Sequence, residues 1–105
     1  MKLEQLFLEK IKRAVNSAEP GAKIILYGSY ARGDADAESD IDLLILVDKE
    51  TISSDDKINI TDPLYLLGFE SGYIFSPLVQ TKKKWEANYF FTSLYHNIQK
   101  EGKEV

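Results

Sequence analysis

The chain reads as an α/β (α+β) fold, a three-stranded mixed sheet with helices mainly on one side, in the order α-β-α-β-α-β-α. Three observations predict it. Apolar residues recur at helical spacing near both ends of the chain. Three short apolar runs, rich in β-branched and aromatic residues, lie between them at 23–27, 41–47 and 73–79. Turn residues separate the elements: Pro20-Gly21, Gly28, Gly33 and Gly72.

Residues 3–18 carry Leu3, Leu6, Phe7, Ile11, Ala14, Val15 and Ala18 on one stripe, which predicts an amphipathic helix that covers the core. Pro20-Gly21 ends it. The run Lys23-Ile24-Ile25-Leu26-Tyr27 is the first strand. Ser29-Tyr30-Ala31-Arg32 has room for one helical turn, which Gly33 stops. The second strand opens with Asp40 and Asp42 and continues through Leu43-Leu44-Ile45-Leu46-Val47. Residues 48–61 are polar and are expected to form a mobile loop. A helix is expected from Asp62 as N-cap and Pro63 as first helical residue to about Ser71, with Gly72 after it. The third strand runs from Tyr73 to about Val79, and Pro77 inside it points to an edge strand or a bulge. Thr81 can cap the next turn, and Lys82-Lys83-Lys84 read as a solvated run set against the helix dipole. A last helix from Trp85 to about Lys100 carries Trp85, Tyr89, Phe91, Leu94, Tyr95 and Ile98. This stripe is wider than one core contact needs, so part of it is a candidate homo-oligomer interface.

The 105 residues fit one domain spanning 1–105. With no cysteine and one histidine, His96, the chain has neither a disulfide framework nor a thiolate or multi-histidine metal site. No apolar run reaches the length of a membrane span, and the start Met1-Lys2-Leu3-Glu4-Gln5 lacks a signal-type apolar region, so a cytoplasmic location is expected. Thirteen basic against 17 acidic residues give a net charge of −4, which argues against non-specific nucleic-acid binding. His96 lies among polar neighbours and reads as a surface residue.

The chemistry concentrates in Gly28–Asp42. Side chains alternate along a strand, so Asp40 and Asp42 project from the same face, roughly 6.5 Å apart. Two aligned carboxylates at the head of an apolar strand repel one another unless a cation compensates them, which points to a divalent metal. The turn before them suits an anion: N–H groups at its start point outward, Gly28 permits close approach and Ser29 adds a hydroxyl. The alternating acids Asp34, Asp36, Glu38, Asp40 and Asp42 do not make an EF-hand loop, because its sixth and twelfth positions hold Ser39 and Ile45. Asp34, Asp36 and Glu38 are expected to be a solvated loop.

Gly28-Ser29, Gly33 and Ser39-Asp40-Ile41-Asp42 together resemble the glycine-serine plus Asp-x-Asp signature of the DNA polymerase beta-like nucleotidyltransferase superfamily, and the short chain resembles its minimal (MNT) members. The resemblance implies the nucleotidyltransferase palm fold. It implies Asp40 and Asp42 as catalytic metal ligands for Mg2+, with Gly28, Ser29 and Arg32 on the triphosphate and Ser39 orienting the loop before the carboxylates. The implied activity is Mg2+-dependent transfer of a nucleoside monophosphate, AMP from ATP, to a hydroxyl of a protein or small molecule. It also implies a helical HEPN-type partner protein. One departure stands out: Ser76 occupies the place of the family's third carboxylate on strand three, and no acid lies between Ser71 and Lys84. The alternative is therefore a catalytically weak or inactive subunit acting as an antitoxin-like or regulatory partner.

Overall fold

The computed structural model describes residues 2–105. Its element order is α1 (Gln5–Ala18), β1 (Lys23–Tyr27), α2 (Ser29–Arg32), β2 (Asp40–Val47), α3 (Ser54–Ser71), β3 (Ile74–Thr81), α4 (Lys82–Asn88), α5 (Ser93–Glu101) and β4 (Lys103–Glu104). The sheet has four strands in the order β3-β2-β1-β4. β1 is antiparallel to β2 and β4, and β2 is parallel to β3.

The strands give the sheet two different faces. Ile24 and Leu26 of β1, Ile41, Leu43, Ile45 and Val47 of β2, and Phe75 and Val79 of β3 pack with Ile11 and Val15 of α1 and Ile60 and Leu64 of α3. Leu44 and Leu46 of β2 point the other way, against Trp85 of α4 and Tyr95 and Ile98 of α5. The two long helices thus share one face, as expected, and two short ones cover the other. Both faces of β2 are covered over most of its length, which is why its run is apolar at consecutive positions. Only its first three residues break the pattern, and there the carboxylates sit.

Several elements depart from the sequence reading. α3 begins at Ser54, not at Pro63, so most of the expected loop is helix. Ser53 accepts from the Asp56 N–H at 3.0 Å while Asp56 reaches back to the Ser53 N–H at 3.3 Å, a complete capping box. Burial of Ile60 and Leu64 on either side of Pro63 holds the helix through the proline. The expected last helix is two, α4 and α5, broken at Tyr89–Thr92, where the Thr92 hydroxyl caps α5 by accepting from the Tyr95 N–H at 3.1 Å. β4 is a fourth strand that the sequence reading lacks, two residues long and paired with Ile25 and Leu26. Leu6 is 73% exposed and leaves the core stripe of α1, while Leu8 packs inward.

Other expectations stand. β3 is an edge strand, and Pro77 lies in it. Thr81 caps α4 by accepting from the Lys84 N–H at 3.1 Å, and Lys82, Lys83 and Lys84 are exposed. Most of the aromatic stripe is core: Trp85, Tyr95 and Ile98 are buried, leaving Phe90 and Phe91 exposed. His96 is exposed. Among the described residues, no helix is long and apolar enough to cross a membrane.

Candidate functional site

The site forms at the end of the sheet where β1 stops and β2 begins. Tyr27, the last residue of β1, pairs with Asp42, and the parallel register sets Ser76 of β3 beside Asp42 on the other side. Asp40 pairs with Ile74. Strand alternation places Asp40 and Asp42 on the face that carries Leu44 and Leu46 further along. The shelf is therefore open at Asp40, which is exposed, and half-buried at Asp42, where α5 closes over the sheet.

Gly28 joins β1 to α2 with φ 75° and ψ −154°, a conformation that only glycine adopts without strain. The reason for the residue is also local. A Cβ at this position would run into the Asp42 carboxylate. The turn and the second aspartate are thus fitted to each other, a tighter link than their spacing in the sequence conveys. In α2, Tyr30 and Ala31 are buried, and Gly33 ends the turn with its N–H on the Ser29 carbonyl at 3.0 Å. Ser29 is half-buried, and Arg32 is exposed with its guanidinium held by Asp34 and Glu101. The Ser39 hydroxyl does not face the turn: it accepts from the Asp36 N–H at 2.9 Å and meets Asp36 Oδ1 at 3.2 Å. Both bonds lie within the loop that leads to Asp40. Asp34 and Asp36 are exposed but not idle, since Asp34 accepts from Arg32 Nε at 3.2 Å.

The electrostatics of the site centre on Asp42. Burial, and then the neighbouring Asp40 charge, push the Asp42 carboxyl above its ordinary value of 3.8, with Arg32 partly opposing and Glu101 adding to the rise. Burial, and then Asp42, raise the Tyr27 phenol as well. Among the described residues, no three His, Cys, Asp or Glu side chains gather into a cage for a cation. The pair Asp40 and Asp42 still fits Mg2+, which is commonly held by one or two carboxylates and completed by substrate phosphates and water. A cation there would relieve the strain that raises Asp42.

Two residues escaped the sequence reading. Tyr27 flanks Asp42, a position only the strand register reveals. Glu101, at the end of α5, reaches across 73 positions to accept from the Gly28 N–H at 2.7 Å, and also from Arg32 Nη1 at 3.0 Å. Nothing in its local sequence signals it, because the contact spans the chain. The larger surface clefts, about 430 Å3 between Lys57 and Asn88 and about 350 Å3 along α1, lie away from the aspartates.

The family model described as nucleotidyltransferase domain matches residues 8–103. Two proteins of Methanocaldococcus jannaschii, each named "putative protein adenylyltransferase", are similar. One is 37% identical over 84 residues, covering 79% of this chain and 77% of that one. The other is 32% identical over 102 residues, covering 95% of both. Two solved structures share the fold. A toxin-antitoxin crystal structure with AMP-PNP superposes with a TM-score of 0.66 at 21% identity, covering 91% of this chain and 69% of that one. A toxin-antitoxin MntA-HpeT mutant, in which two aspartates are changed to glutamate, gives 0.63 at 18% identity, with coverage of 91% and 69%.

Proposed function

The chain belongs to the nucleotidyltransferase domain family, and from that premise we propose that it transfers AMP from ATP to a hydroxyl group, with Mg2+ held by Asp40 and Asp42. The observation that carries this reading is the fit of Gly28 against Asp42, with Asp40 aligned beside it on the strand. A purely structural strand has no use for that arrangement. The names of the two archaeal relatives favour adenylyl as the group transferred and a protein as its acceptor. The structural neighbours favour a protein partner of the toxin-antitoxin kind. A helical HEPN-type protein is the partner proposed.

In this reading the Gly28 N–H, the Ser29 hydroxyl and the Arg32 guanidinium hold the triphosphate. Asp40 and Asp42 would hold Mg2+, which when bound would neutralise charge on the phosphates. The acceptor oxygen bonds to the α-phosphorus as the bond to pyrophosphate breaks. Ser76 offers no carboxylate for the departing proton, which goes to water or to a group on the acceptor.

That same serine favours a second reading. A chain with Ser76 beside Asp42 keeps nucleotide binding and loses most transfer, as a regulatory or antitoxin-like subunit would. Incubation with labelled ATP, Mg2+ and the product of the adjacent gene separates the two. The transferase reading expects label on the partner with the native chain, none with Asp42→Ala, and a faster rate with Ser76→Asp. Absence of label alongside intact ATP binding supports the subunit reading.

A further inference from the structure

Glu101 sits on the donors that the nucleotide reading needs. One carboxylate oxygen, Oε2, accepts from both the Gly28 N–H and Arg32 Nη1. A backbone N–H and a guanidinium converging on one anionic oxygen is how a phosphate oxygen is bound. The side chain is only 20% exposed, and it adds negative charge beside Asp42. A triphosphate and Glu101 cannot share these donors, and their charges repel.

We propose that Glu101 is a built-in occupant of the phosphate seat, and that the end of α5 together with β4 forms a latch that must open before a nucleoside triphosphate binds. The proposal deepens the nucleotide reading and rests on it. The hold behind Glu101 is short. β4 pairs through Ile25–Glu104 and Leu26–Lys103, and the Val105 N–H adds one bond to the Ile24 carbonyl at 2.9 Å. The Lys23–Glu104 ion pair is exposed and 3.9 Å long, so it adds little. Ile98, buried one turn upstream, anchors the helix. The hinge therefore lies between Ile98 and Gly102, where the Gly102 N–H closes the helix on the Ile98 carbonyl at 2.7 Å. Of residues 103–105, Lys103 and Glu104 are exposed and only Val105 packs on the core, so opening this tail uncovers one apolar side chain, a small cost for a segment that opens locally. Affinity for nucleotide is then reduced by the fraction of time the latch is closed.

Two measurements on the full chain test this. Calorimetric titration with ATP and Mg2+ compares the native protein with E101Q, which removes the charge, and E101A, which also removes the acceptor. Both variants should bind tighter than native, E101A by about fivefold or more. Amide hydrogen exchange on the native protein should speed up at residues 103–105 when ATP and Mg2+ saturate it, and this readout needs no variant. Equal or weaker binding by E101A, or unchanged exchange at 103–105, overturns the latch and leaves the nucleotide reading standing. Failure of the native chain and both variants to bind ATP overturns the two together.

Discussion

Asp42 is the residue on which the site turns, and its environment makes it costly to the fold. Burial comes first and the Asp40 charge second in favouring its protonated form. A carboxyl whose folded pKa lies above its unfolded value binds more protons when folded. Stability therefore falls as pH rises from the ordinary 3.8 through the folded value, and the loss persists at neutral pH. Asp42→Asn should melt higher than the native protein at pH 7, with the gap closing below about pH 4. A lower melting temperature for Asp42→Asn at pH 7 would contradict this account. A destabilising charge kept at the head of a strand accords with the role proposed for Asp42. Asp40, Asp42 and Gly28 were legible in the sequence because strand alternation and turn chemistry are local rules. Glu101 and Tyr27 were not, because one depends on a contact across the chain and the other on strand pairing.

At the scale of elements, α3 shows where local rules mislead. Asp62-Pro63 has the form of a helix start, yet the helix begins nine residues earlier at a Ser53–Asp56 capping box. Tertiary burial of Ile60 and Leu64 outweighs the missing N–H at Pro63, which leaves the Asn59 carbonyl without its usual donor. Pro63→Ala should therefore stabilise the protein by about 1–2 kcal/mol, the restored bond being partly offset by a freer unfolded chain. Denaturant melts would check it, and a loss of stability would show that the proline shapes the packing of α3. The break between α4 and α5 was hidden for a similar reason: Trp85 to Ile98 keeps helical spacing across Thr92, while the hydroxyl cap starts a new helix there. β1, α2 and β2 match the sequence reading closely because each is bounded by a residue with one strong preference. β4 is too short to leave a periodic signal, and it forms because β1 offers a free edge.

For the whole molecule, the sheet acts as a platform with unequal ends. Its middle is sealed on both faces, by α1 and α3 on one and α4 and α5 on the other. Its acidic end stays open at Asp40, with the Gly28 turn on one flank and edge strand β3 on the other. A chain of net charge −4 does not attract a triphosphate through its overall field, so the proposed reading calls for a cation at this end beside the Arg32 guanidinium. The most direct test is ATP affinity measured by calorimetry with and without Mg2+, for the native chain and Asp42→Ala. The account predicts Mg2+-dependent binding by the native chain, and a loss of about tenfold or more in the variant while its fold persists. Equal affinity in the two, or native binding indifferent to Mg2+, would contradict it.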